Sequence, residues 1–295
     1  MSSVGRRKAR YGRVSTSEVP VEVSYRRLKT LNLVAAIIFS ATFFAVLGIA
    51  IWAQVSDSAT STLNPQLTVD FVEVTSEDPV TLSVNTTVLG TYPLIWLEIV
   101  FPFVTAVFHW IIWGTAYFDN YYFPKLGKGR NPLRWVEYAI TASVMTWSIC
   151  QISGITNLFA LLNVAVMGNV ALQFCGFWME SANEDRSRGE RVNWIPTLVG
   201  WFIFSVQWAT IITYFIKAVV SATNPPWFLY TVVIVLFSLY ADFGILQILH
   251  YAWCGSFFSN PYTYEFIYII LSLVSKLSLE ILIIVSITTS GVIFS

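Results

Sequence analysis

Six acidic, basic or imidazole side chains stand out inside long apolar runs of this sequence: Glu98, His109, Glu137, Asp242, Lys276 and Glu280. Charge inside an apolar medium is costly and is kept where it is paired or used. Lys276 is the one cation in mid-run, within Leu271-Ser272-Leu273-Val274-Ser275-Lys276-Leu277. It sits too deep for its stem to carry the ammonium to a surface. A buried lysine sheds its proton readily, and the neutral amine condenses with an aldehyde to give a Schiff base. Once protonated, that imine again needs a carboxylate; the plainer reading is a structural Lys–Glu pair. His109 offers a group that titrates near neutral pH, and reads equally well as a packing histidine. The sequence holds no nucleotide-binding loop, metal-ligand cluster or nucleophile arrangement, so it is not read as an enzyme or a metal protein.

The elements that must position these groups follow from composition. Of the 295 residues, 56% are hydrophobic and 12% charged, too apolar for a domain surrounded by water alone. A bilayer core of about 30 Å takes roughly 20 helical residues to cross. Runs of that kind extend from Leu31 to Trp52, Leu94 to Phe118, Leu133 to Ile152, Thr156 to Met179, Ile195 to Val219, Trp227 to Tyr251 and Tyr264 to Phe294. They predict an all-α membrane protein, a bundle of seven transmembrane helices, because lipid leaves the backbone no other partner. The formal net charge is zero, and nothing suggests a nucleic-acid partner. Cys150, Cys175 and Cys254 lie in or at the ends of apolar runs and read as packing residues.

Lys and Arg are strongly segregated. Arg6, Arg7, Lys8, Arg10, Arg13, Arg26, Arg27 and Lys29 precede or open the first run; Lys125, Lys128, Arg130 and Arg134 follow the second; Arg186, Arg188 and Arg191 follow the fourth. The positive-inside rule then puts the N-terminus in the cytoplasm and the C-terminus outside. Residues 1–27 read as a basic cytoplasmic tail without a removable signal peptide, and residues 28–295 as the membrane domain. Which cell membrane holds it is not encoded.

The first extracellular loop, about residues 54–92, contains two stretches of alternating character, Leu67 to Val74 and Val80 to Val88. They predict a β-hairpin turning at Ser76, Glu77, Asp78 and Pro79. A lone hairpin is marginal, which favours packing on a second copy and hence a homodimer. Asn85-Thr86-Thr87 has the form of a glycosylation acceptor, or of a chance tripeptide.

Depth selects the partner of Lys276. Glu137 lies on the order of 9 Å inside the third run, and Lys276 roughly 18 Å inside the seventh, at 1.5 Å per residue. The lysine stem leans toward its own N-terminus, which brings the nitrogen toward the level of Glu137. Glu280, one turn later on the same face, ranks second, and Ser272, one turn earlier, lies under the nitrogen. Glu98 and Lys217, near the outer ends of their runs, are read as solvated.

Two segments carry a family resemblance: Asn131-Pro132-Leu133-Arg134-Trp135-Val136-Glu137-Tyr138, and Tyr268-Ile269-Ile270-Leu271-Ser272-Leu273-Val274-Ser275-Lys276. Met167 with Asn169, Met179-Glu180, Pro196, Gly200 and Leu246-Gln247 support it. From about Arg26 to its end the chain resembles the heliorhodopsins, inverted-topology retinal proteins. The resemblance implies all-trans retinal on Lys276, Glu137 as counterion, a dimer, and a slow photocycle with little or no pumping. It also implies a pocket of Tyr138, Thr141, Ala142, Met145, Phe237 and Tyr240, with Ser272 beside the Schiff base. Phe39 stands where most heliorhodopsins have a histidine, and Asp242 and Glu280 stand where the family usually has uncharged residues.

Two functions are set against each other. One is a sensory photoreceptor read by a cytoplasmic partner, which could dock on the basic tail or on the charged stretch from Glu184 to Arg191. The other is light-driven or light-gated proton movement through Glu137, Glu280 and Asp242.

Overall fold

The computed structural model describes residues 21–55, 64–77, 80–114, 116–186, 190–223, 225 and 227–290. The basic residues from Arg6 to Arg13, the turn at Asp78 and Pro79, Arg188 and the last residues of the seventh run lie outside the described residues.

Helix α1 (Val21–Val55) leads into strands β1 (Gln66–Glu77) and β2 (Val80–Thr91), then α2 (Ile95–Gly114). A π-helical turn at Phe118–Tyr122 and the short α3 (Phe123–Leu126) precede α4 (Pro132–Ile152). A short α5 (Leu158–Leu161), a second π-helical turn (Leu162–Met167) and α6 (Gly168–Ala182) form one continuous rod. Then come α7 (Ile195–Ser221), α8 (Trp227–Tyr251), the short α9 (Gly255–Ser259) and α10 (Pro261–Ser290). Residues 21–27, read from sequence as tail, are already the first turns of α1.

The ends of these helices are written locally. Asn131 caps α4, accepting from the Arg134 N–H, and Pro132 stands where no backbone donor is needed. Asn157 likewise accepts from the N–H groups of Phe159 and Ala160 to open α5. The π-helical turn after it survives because Gln207 of α7 donates its side-chain amide to the carbonyl of Val164 at 2.7 Å.

The seven long helical rods pack in chain order into a closed ring, α1 on α2, α2 on α4, α4 on α6, α6 on α7, α7 on α8, α8 on α10 and α10 back on α1. Among the described residues, six rods are long and apolar enough to cross a membrane; the exception is α4. Helix α4 has the length, 21 residues, but buries Arg134, Glu137, Thr141, Ser143, Thr146, Ser148 and Gln151. Its polar residues are buried, while Val136 and Ile140 are exposed on its outer face.

The strands pair antiparallel with Val72 opposite Val84, and run longer than the alternating stretches that predicted them. The root of the hairpin is fixed to its own chain: Thr68 N–H donates to Thr156 O at 2.9 Å, and the Asn157 amide donates to Asp70 at 3.0 Å. That anchoring supplies in cis some of the support expected from a second copy. Beyond the root, Phe71, Val72, Val74, Leu82, Val84 and Val88 are exposed. Asn85 is exposed as well and donates to Glu73. Cys150 and Cys175 are buried, whereas Cys254, expected as a packing residue, is exposed at the start of α9; all three are free thiols.

Candidate functional site

Three helices turn polar stripes toward one another. On α2 the buried face carries Glu98, Thr105 and His109; on α4 it carries Arg134, Glu137, Thr141 and Ser148; on α10 it carries Glu265, Ser272, Lys276 and Glu280. Steps of three, four and seven residues recur because those spacings return to one face of a helix. The stripes meet in three layers.

The middle layer holds the amine. Lys276 Nζ is ion-paired and hydrogen-bonded to Glu137 Oε1, and donates to Thr105 Oγ1 at 2.6 Å. The Thr105 hydroxyl in turn donates to Glu137 Oε1 at 2.8 Å, and Thr141 reaches the same oxygen at 3.3 Å. Lys276 and Glu137 are 3% and 6% exposed, so the pair is shielded from bulk solvent. The ammonium also lies 5.2 Å from the Tyr138 ring and 5.6 Å from that of Phe39, within cation–π range. His109 is buried beside this pair, its Nδ1 in a 2.8 Å hydrogen bond with Asn32 Oδ1 and its ring stacked parallel to Phe39.

At the α4 N-terminal end, Arg134 is clamped between two acids. It bonds Glu265 Oε2 at 2.6 Å and is paired with Glu180 Oε1. Glu180 also accepts from Asn131 N–H, and Glu265 from the Asn131 amide and the Tyr122 hydroxyl. Every member is buried, and the guanidinium lies 4.0 Å over the ring of Tyr268. Sequence reasoning counted Arg134 as a flanking charge and missed Glu265 as an interior acid. At the hairpin end, Glu98 is wholly buried and accepts from Ser148 Oγ at 2.5 Å. This corrects the solvated reading of Glu98: the α2 face that carries it points into the ring. Lys217, by contrast, is exposed.

Lys276 opens on a cavity of about 130 Å³, roughly ten times the room one water requires. It runs between α4, α6, α7, α8 and α10, with Ser272 and Ser275 beside the lysine and Met145, Trp201, Phe204, Tyr240 and Phe243 among its walls. Tyr138, Thr141 and Ala142 line it too. Phe237, expected there, does not. It is partly exposed and backs onto Phe204 and Trp208, because the cavity ends one turn short of it on α8. Asp242 is half-buried and lines no cavity described here. Glycines keep the walls close: a Cβ at Gly244 would come 2.9 Å from Trp201, and one at Gly176 would collide with Trp135 at 2.2 Å. A smaller cavity of about 20 Å³, enough for one water, joins His109, Asn32 and Glu137 to Arg134 and Glu265.

A ring of apolar helices around one buried, carboxylate-paired amine that faces an aromatic cavity is the construction of an integral membrane protein of the rhodopsin class. The sequence profile of the heliorhodopsins matches residues 28–287, most of the chain, and the chain belongs to the heliorhodopsin family. Membership implies a retinal-binding protein of photoreceptor type. A comparison with curated proteins found no match. The residues present fit a long polyene with an aldehyde end: the walls are apolar and aromatic, the amine is part of the lining, and the buried Ser272 hydroxyl beside it has no hydrogen-bond partner.

Proposed function

We propose that Lys276 carries all-trans retinal as a protonated Schiff base with Glu137 as its counterion, and that the chain works as a slow-cycling light sensor. The observation that supports this most directly is that the fully buried lysine among the described residues faces the aromatic cavity on one side and a carboxylate on the other. Bound there, retinal would supply light absorption and a change of shape. The chain's own residues do the rest. Glu137 holds a compensating charge at the nitrogen, and the Thr105 hydroxyl orients that carboxylate. Phe39 and Tyr138 exclude water around the ammonium, and Met145, Trp201 and Tyr240 confine the chain of the ligand.

In this reading the chain crosses the bilayer seven times with its N-terminus cytoplasmic, pairs with a second copy, and is read by a cytoplasmic partner at the basic connections. The test is a visible spectrum of the purified protein with all-trans retinal. A pigment band that Lys276→Ala abolishes is expected; no band, or a band that survives the substitution, rejects the assignment.

A second reading, proton movement, is favoured by one observation: Glu280 is buried beyond Lys276 with neither oxygen hydrogen-bonded. Asp242 lends it no support, since it lies off the line of buried carboxyls. Photocurrent under voltage clamp separates the two readings.

A further inference from the structure

On the hairpin side of Lys276 the ring interior holds two carboxyl groups with no base to match them. Glu98 is 0% exposed and Glu280 is 3% exposed. The strong bases buried among the described residues are Lys276 and Arg134. Lys276 is engaged by Glu137 and Thr105, and Arg134 by Glu180 and Glu265 at the opposite end. One oxygen of Glu98 takes the Ser148 hydroxyl; the other has no hydrogen-bond partner, and neither oxygen of Glu280 has one. The two carboxyls lie within electrostatic reach of each other. Gln151, one turn beyond Ser148 on the same face of α4, is also buried with both amide atoms unpartnered.

The surroundings offer no compensation. Helix α4 adds Ser148, Cys150 and Gln151, and α8 adds the Tyr240 hydroxyl, which pairs with Thr146 at 3.5 Å. Helix α1 contributes Val46 and Ala50 to this core. Tyr92, half-buried at the foot of α2, accepts a hydrogen bond from the Trp147 indole at 2.6 Å. Two carboxylates cannot both stay ionised in such a place, since each is desolvated and each repels the other.

We propose that Glu98 and Glu280 form a proton-holding carboxyl pair, a site distinct from the Lys276–Glu137 pair and facing the hairpin side of the bundle. The ligand is a proton held by these carboxyls, with Ser148 fixing Glu98. Glu280 follows Lys276 by one helical turn, about 6 Å along α10, so a change at the amine is transmitted to the pair through a single helix. The site exists whether or not retinal is bound.

The experiment uses the full chain in lipid nanodiscs, in the dark and without retinal, so its outcome does not depend on the pigment. The infrared carbonyl band of a protonated carboxylic acid is expected at neutral pH, shifted in D₂O. Glu98→Gln and Glu280→Gln should each shift or remove it, and the double variant should abolish it, while Asp242→Asn leaves it in place. Circular dichroism and gel filtration confirm that each variant folds. Absence of the band in wild type, or its persistence unchanged in the double variant, overturns the proposal. So does a band that sodium ions abolish at neutral pH, which would make the pair a cation site.

Discussion

The guanidinium of Arg134 lies 4.0 Å over the ring of Tyr268, a residue that also lines the cavity facing Lys276. The Tyr268 hydroxyl donates to Phe243 O, and its carbonyl receives the Tyr138 hydroxyl at 3.4 Å. Tyr268 therefore joins the charge cluster at one end of the bundle to the wall of the site. The cluster balances one cation against two acids whose remaining oxygens are filled by Asn131 and Tyr122. Glu265→Ala removes one acid and leaves Arg134, Asn131 and Tyr122 short of an acceptor. Truncating one member of a buried pair costs about 3–5 kcal/mol, so a clear drop in melting temperature is expected. A variant as stable as wild type would show that Glu180 alone satisfies Arg134.

Glu137 and Thr105 predict opposite colour shifts. With retinal bound, Glu137→Gln removes the negative charge at the nitrogen, so the band should move to longer wavelength or the nitrogen should lose its proton at neutral pH. Thr105→Val deletes a hydrogen bond that draws charge away from Glu137 Oε1, leaving a stronger anion and a shift to shorter wavelength. Thr105→Ser should restore the wild-type spectrum. Shifts of the same sign for Glu137→Gln and Thr105→Val would mean that Thr105 acts on the lysine rather than on the carboxylate.

Lys276 was legible in the sequence because it sits deep within an apolar run, and Glu137 because the lysine stem leans back toward its level. Glu98 lies as early in its run as Glu137 does, but no cation in the sequence pointed to it, so counting alone left it at the rim. The spacing from Glu98 to Thr105 to His109 is seven and then four residues, which returns to one helix face and was the available signal. Arg134 was read as a flanking charge, Glu180 only as part of the resemblance and Glu265 not at all, since their pairing joins α4, α6 and α10 and depends on tertiary contact. Asn32 carried no signal, because its role is to meet His109 across two helices. Phe237 shows the limit of carrying a wall over by position: it lies one turn from Tyr240 and Ala241, yet the cavity stops before it.

Gly244 tests the cavity. Adding a Cβ brings it 2.9 Å from Trp201, a ring that must yield, and the space available to it is the cavity both residues line. Gly244→Ala should therefore reduce pigment formation several-fold with little loss of helical content, whereas Phe237→Ala leaves pigment yield near wild type. Equal pigment yields for Gly244→Ala and wild type would indicate that Trp201 moves outward.

The topology predicts that a tag at the C-terminus labels from outside intact cells, while a tag before Arg6 labels only after permeabilisation. Lys125, Lys128 and Arg130 lie between α2 and α4, and Arg186 and Arg191 between α6 and α7, so both connections fall on the face where α1 begins. Labelling in the reverse pattern would invert the bundle and place the Glu98–Glu280 pair on the cytoplasmic side.

Phe39 lies parallel to His109, ring centroids 6.1 Å apart with planes within 5°, and 5.6 Å from the Lys276 nitrogen. Most heliorhodopsins resemble one another in carrying a histidine at the equivalent position, so Phe39→His tests what a second imidazole does in this setting. An imidazole ordinarily takes up a proton near pH 6.5, so the variant gains a group able to become positive beside the nitrogen as pH falls. That charge opposes the positive charge at the nitrogen and works against Glu137. With retinal bound, the dark band of the variant should move to longer wavelength once acidification charges the new imidazole. The variant also loses the apolar ring that screens the ammonium, so its pigment should bleach faster in hydroxylamine. A pH dependence of the dark spectrum identical to that of wild type, with unchanged bleaching, would show that the new imidazole turns away from Lys276 and bonds Asn32 or His109 instead.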